Sequence, residues 1–214
     1  MTRLAIVLTL ASIAALPAVA AAQTVVVNEV MYRPWNESTV GKYEFVEVYN
    51  HGEESVDLGG YMLTDSSDLV RICHFQHPLD HEGVFEIPAG TVIEPGAYLT
   101  FWHTPIPGVN DQPGNVIYNS FQYFGNLVLA NGGDQVTIFT CDGAADPVIV
   151  DSFDYSEFDF INWHNRSLER ISPFEPTQDL SNWGYTTAPT AGMPYGGVYT
   201  PGGTPGAENT IADF

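Results

Sequence analysis

The sequence predicts an all-β fold with two sheets packed as a sandwich. Three observations carry that expectation: short segments rich in Val, Ile, Tyr and Phe, Gly-, Pro- and Asn-bearing turns between them at even spacing, and no segment with a convincing amphipathic-helix period. The chain of 214 residues is long enough for one ordinary core plus extensions.

Thr24 to Tyr32 reads as a first strand and Tyr43 to Tyr49 as a second. The second alternates, with Glu44, Val46 and Val48 on one face and Tyr43, Phe45, Glu47 and Tyr49 on the other, because successive side chains of an extended chain point to opposite sides. Asn50-His51-Gly52 breaks it, and Gly59-Gly60 turns the chain into a third short strand, Tyr61 to Thr64. After the Ser66-Ser67-Asp68 turn, Leu69 to Glu82 has the look of a polar, histidine-rich connection, with Cys73 in a strand at its start.

Further strands are expected at Val84 to Ile87, Ala97 to His103, Leu127 to Ala130, Gln135 to Thr140 and Val148 to Tyr155. Pro88-Ala89-Gly90 and Glu94-Pro95-Gly96 are turns flanking Thr91-Val92-Ile93. Asn131-Gly132-Gly133-Asp134 is a hairpin signal, since Gly and Asn tolerate positive backbone angles. Thr104 to Asn115 is a Pro/Gly-rich loop, and Phe121 to Phe124 a short ordered segment.

From Ser156 onward the texture becomes irregular and rich in Pro and Gly, with Ser167 to Ile171 able to pair on an edge. Disordered tails are poor in aromatic residues. Trp163, Phe174, Trp183 and Tyr185 therefore suggest a strap laid over the sandwich, with order falling away past Tyr199. The expected organisation is a leader at 1–22, a sandwich at 23–160 and a C-terminal strap and tail at 161–214.

A set of ordered motifs resembles a known family. Asn28-Glu29-Val30, Tyr43 to Asn50, Val56-Asp57-Leu58 and Gly60-Tyr61-Met62-Leu63 look like the opening of a lamin-tail domain of the exported bacterial type. The resemblance continues through Ile87 to Thr91, Ile93 to Gly96, Leu127 to Asp134, Val150-Asp151-Ser152, Ser167 to Arg170, Asn182-Trp183 and Thr204 to Asn209. It implies an immunoglobulin-like β-sandwich with no family-wide catalytic residues.

The first 22 residues combine a basic start, an apolar run from Leu4 to Leu16, Pro17, and small-residue cleavage patterns ending at Ala20 or Ala22. They read as a removable export signal, which makes the protein secreted or periplasmic with no membrane span after removal. That signal holds one base, Arg3, so the mature chain carries 26 acids against 6 − 1 = 5 bases, a formal charge of −21. Nucleic-acid binding rests on Lys and Arg neutralising phosphates. Five scattered bases exclude it, so the association of animal lamin tails with chromatin does not carry over. The acidity is explained by solubility.

No nucleophile elbow, phosphate loop or zinc-protease helix occurs, and no cofactor is expected. Glu44 and Glu47 fall on opposite faces of one strand, so they cannot flank a glycosidic bond. Glu29, Glu44, Glu47 and Glu169 are expected to satisfy Arg166, Arg170 or backbone groups, because half-buried carboxylates need partners. Cys73, His74, His77, Asp80 and His81 form the one cluster with a zinc-site composition, weighed against a polar loop. Calcium through Asp65/Asp68 or Asp154/Glu157/Asp159 fits no helical loop pattern.

These features point to a non-catalytic structural or interaction module whose partner is an envelope or extracellular protein. The alternative is a cell-surface glycan-binding module that stacks sugars on Trp35, Trp102, Trp163 and Trp183. The export signal and the presence of two cysteines point to a single Cys73–Cys141 disulfide, with two free thiols or a metal-bound Cys73 as the competing outcomes.

Overall fold

The structure is a computed structural model that describes residues 24–34, 43–74, 83–106, 110–111, 113–117, 127–142, 146–158, 165–188 and 202–213. The expected export signal at 1–22, Trp35, His77, Asp80, His81, Phe121 to Phe124, Asp159 and Trp163 lie outside the described residues.

In chain order the strands are β1 (Val25–Met31), β2 (Phe45–Asn50), β3 (Val56–Asp57), β4 (Met62–Thr64), β5 (Val84–Glu86), β6 (Val92–Ile93), β7 (Tyr98–Trp102), β8 (Asn115–Ile117), β9 (Gln135–Asp142), β10 (Asp146–Asp154), β11 (Leu168–Arg170) and β12 (Trp183–Tyr185). Among the described residues one helix, α1 (Leu69–His74), and a 3-10 turn at Leu180–Asn182 complete the regular structure. A six-stranded sheet in the order β12-β11-β1-β2-β7-β8 faces a four-stranded sheet in the order β10-β9-β4-β5, with β3-β6 as a separate ribbon. This is an all-β, immunoglobulin-like sandwich.

The core follows from alternation. Val25, Val27, Val30, Val46, Val48, Leu99, Phe101 and Leu168 of the larger sheet meet Leu63, Val136, Ile138 and Phe153 of the smaller one in a single buried cluster. Between Val27 and Glu29 the β1–β2 register shifts by a bulge, which inserts Asn28 and returns the following residues to the same in-and-out order. Two satellite clusters cover the outer faces. Met31, Phe45, Trp102 and Ile106 lie outside the larger sheet, and Met62, Phe139 and α1's Leu69, Ile72 and Cys73 lie outside the smaller one.

Four sequence expectations are corrected. Cys73 stands on α1 instead of a strand. Asp68 caps that helix by accepting from Arg71 N at 3.3 Å, and the i, i+3, i+4 spacing of its buried residues is too brief in six residues to register as a period. Leu127 to Ala130 is not a strand, because its donors go to side chains: Val128 N to Asp65 Oδ2 at 3.2 Å and Leu129 N to Glu44 Oε2 at 2.9 Å. The loop Thr104 to Asn115 ends in β8, which runs parallel to β7. β11 is flanked by β1 and β12 and is therefore interior to the sheet.

Of the aromatics expected to clamp the C-terminal region, Trp183 is buried against the sandwich and Phe174 is 69% exposed. Trp183 stacks on Phe153 at 3.7 Å between centroids and donates its indole N–H to Thr177 O at 2.8 Å. Order does not fall away past Tyr199. Residues 202–213 are seated on the six-stranded sheet, with Gly202 and Asn209 buried.

Candidate functional site

Glu29 and Glu47 each stand in a Val-rich strand and Glu169 stands between Leu168 and Arg170, and the ladder aligns the three. Glu169 of β11 pairs with Glu29 of β1, and Glu29 pairs with Glu47 of β2. The row ends in Gly184 on one side and Thr100 on the other. All three carboxyl-bearing residues have 0% exposure on the outer face of the larger sheet, beneath residues 202–210.

That segment supplies the donors such burial demands. Thr204 N donates to Glu29 Oε1 at 2.9 Å, Gly206 N to Glu47 Oε2 at 2.5 Å, and Thr210 N and Oγ1 to Glu169 Oε2 at 2.8 and 2.7 Å. The body adds Asn28 Nδ2 to Glu47 Oε1 at 3.0 Å and Thr100 Oγ1 to Glu47 Oε2 at 2.8 Å. Asn209 locks the segment by donating to the backbone oxygens of Asn28 and Arg170 at 3.0 and 2.9 Å.

Burial sets the electrostatics. Desolvation pushes the Glu29 carboxyl well above its ordinary range, and repulsion from Glu47 and Glu169 adds to that rise. Desolvation likewise drives Glu47 up to about 7 against the lowering effect of its donors from Gly206, Thr100 and Asn28.

Of the partners expected for these glutamates, backbone groups are the ones observed, while Arg170 is engaged elsewhere. Arg170 pairs with Asp151 at 3.3 Å and donates to the carbonyls of Val27, Ser172 and Glu175 and to Thr177 Oγ1. Asp151 in turn accepts from Val27 N at 2.7 Å and Thr177 Oγ1 at 2.8 Å, which ties β10 to β1 and to the strap. Glu44 and Glu47 serve separate groups, as their opposite faces require.

Cys73 and Cys141 are bonded to each other, with Cα atoms 5.5 Å apart, and fasten α1 to β9. His74 is exposed at the end of α1. Asp65 and Asp154 come from the two separate loop sets considered for calcium, yet both line one open cleft with Asp134. Their oxygens already accept backbone donors: Asp154 from Ser156 N and Asp134 from Ala130 and Gln135 N within local turns, and Asp65 from Val128 N, 63 residues away. Among the described residues no group of three or more His, Cys, Asp or Glu has metal-holding geometry. Trp102 and Trp183 are both interior, which removes half of the proposed sugar platform.

Sequence reasoning missed Asn28, Thr100, Thr204 and Gly206 as partners of the glutamates. The available signal was a single Glu inside each of three buried strands, VVVNEVM, FVEVYN and LER. A buried charge needs a cover, and the cover had to come from elsewhere in the chain.

The profile of the Lamin Tail Domain family matches residues 18–157, more than half of the sequence. The chain belongs to the lamin tail domain family. In this lamin tail domain the matched region holds β1 to β10, while β11, β12 and the segment over the glutamates follow it. Among solved structures it is similar to a DUF4876 family protein from Bacteroides thetaiotaomicron VPI-5482, at 10% identity and a TM-score of 0.47 over 70% of this chain; the chain covers 62% of that protein. No curated protein matches it. Among the described residues no helix is long and apolar enough to cross a membrane.

Proposed function

We propose that this lamin tail domain is a non-catalytic structural or protein-interaction module of an exported protein, acting in the periplasm or outside the cell. The observation that carries the reading is the sealed glutamate row. Glu29, Glu47 and Glu169 are wholly buried and engaged by the chain's own C-terminal segment, so a substrate does not reach them. The Cys73–Cys141 bond supports an oxidising compartment, as does the apolar leader. A formal charge of −20 supports a partner other than nucleic acid.

The test is in-cell cross-linking of the full protein, with matched incubations of purified protein on a glycan panel and on ester, peptide and glycoside substrates. A discrete, saturable protein partner without turnover is expected. Saturable glycan binding lost on substituting aromatic residues would establish the glycan reading instead. Hydrolysis abolished by Glu47→Gln would overturn both.

A further inference from the structure

When all three carboxyls of the glutamate row are ionised, the Thr204 hydroxyl cannot donate to both of the carboxylates it touches. Thr204 Oγ1 lies 3.3 Å from Glu29 Oε2, 3.2 Å from Glu169 Oε1 and 3.4 Å from Asn209 Oδ1. A hydroxyl has one hydrogen, so it can donate to one of these acceptors. With both carboxylates charged, the second faces a lone pair, and like charges directly opposite on neighbouring strands repel. A proton on Glu29 turns that contact into O–H···O with Thr204 as acceptor.

We propose that the row retains a proton at neutral pH and that residues 202–213 form a proton-dependent latch, seated while the proton is present and loosened when alkaline conditions remove it. The latch is bound to the row through Thr204, Gly206 and Thr210, one contact set for each glutamate.

The groups facing this patch from the surrounding elements are acidic or neutral. β1 contributes Glu29, β2 contributes Glu47 and Tyr49, β7 contributes Thr100 and Tyr98, and β11 contributes Glu169. β12 offers Gly184, against which Ile211 packs, and the latch carries Glu208 and Asp213. The Arg170 guanidinium is committed to Asp151, and no Lys, Arg or His side chain among the described residues pairs with the row.

The direction of the effect follows from the raised carboxyls. A group that binds its proton more tightly folded than unfolded contributes stability that is full below its unfolded value and lost as pH rises through its folded one. For Glu47 that window runs from 4.5 up to about 7, and Glu29 is raised in the same direction.

Hydrogen exchange of the full protein, corrected for intrinsic rates, tests the latch between about pH 6 and about pH 9. Protection of the Thr204, Gly206 and Thr210 amides is expected to fall roughly tenfold or more, while that of Val27 and Val48 holds. Glu47→Gln and Glu29→Gln should flatten the response, because an amide does not titrate. Flat wild-type protection, or a loss shared equally by the strands, would overturn the proposal. If the variants do not fold, infrared spectra of wild-type protein with isotope-labelled Glu decide it. A carboxylic-acid C=O band near neutral pH that vanishes on alkalinisation supports the latch, and its absence refutes it.

Discussion

Gly206 donates its backbone N–H to a carboxylate oxygen of Glu47 that lies 159 residues earlier in the chain, at 2.5 Å. The contact joins the C-terminal segment to an inner strand of the larger sheet, and it requires the segment to approach very closely. Two glycines permit this. Gly206 has φ +83°, which side-chain-bearing residues rarely adopt, and Gly203 lies flat against the glutamate row.

Gly203→Ala should therefore destabilise the domain by about 1–3 kcal/mol. A Cβ there would stand 2.8 Å from Ser167 Oγ and closer still to Glu29 Oε1. Gly132→Ala is the matched control, since its Cβ meets nothing within 4 Å. Urea midpoints of the two variants check the contrast, and equal midpoints would show that the segment yields freely.

Trp183→Ala should cost about 3–5 kcal/mol, because it removes the stack on Phe153 and leaves a cavity at the join of strap and core. Phe174→Ala, at a residue 69% exposed, should stay within about 0.5 kcal/mol of wild type. Truncation after Ser156 removes β11 and β12 as well as Trp183, and the remaining chain is expected not to melt cooperatively.

Arg170→Lys should lose about 3 kcal/mol despite keeping the charge. The guanidinium contacts Asp151, Thr177 and three backbone carbonyls at once, a fork that an ammonium cannot reproduce. Asp151 would be left buried with a poorer partner. Chemical denaturation with a double-mutant cycle against Asp151→Asn measures the coupling.

Reduction of Cys73–Cys141 should cost about 4 kcal/mol by the chain-entropy argument for a 68-residue separation. Thermal melts with and without reductant read the loss. Intact mass of the denatured, non-reduced protein must show no alkylatable thiol, and two such thiols would refute the bond.

The legible parts of this fold are those in which one strand's pattern suffices. β2 and β7 alternate cleanly, so their faces could be assigned from sequence. β8 could not be, because its three residues gain meaning only from parallel pairing with β7 across a loop whose turn is built by Asn110, which accepts from Ile106 N and donates to Thr104 O. Leu127 to Ala130 has strand composition, yet the carboxylates of Asp65 and Glu44 capture its amides before a ladder can. The glutamate row was visible as three oddly placed acids, but its cover was hidden in Pro/Gly-rich sequence that resembles a disordered tail. Composition reports what a segment cannot build alone, and beyond turns such as Ala207 N to Thr204 O this segment's hydrogen bonds end on the sandwich: on Glu29, Glu47 and Glu169 and on the backbone of Asn28, Arg170 and Ile171.

β1 has a consequence for how the domain assembles. Every residue from Val25 to Met31 is buried, and one of its two ladders is completed by β11, more than a hundred residues later. Until that late segment arrives, a valine-rich strand presents a full row of unpaired backbone groups on one side. Contacts so distant in sequence slow closure, since the intervening loop's entropy must be overcome before they form. A chain clipped or stalled before Leu168 thus carries an adhesive edge, and it should be removed by self-association or proteolysis well before it could act as a partial domain.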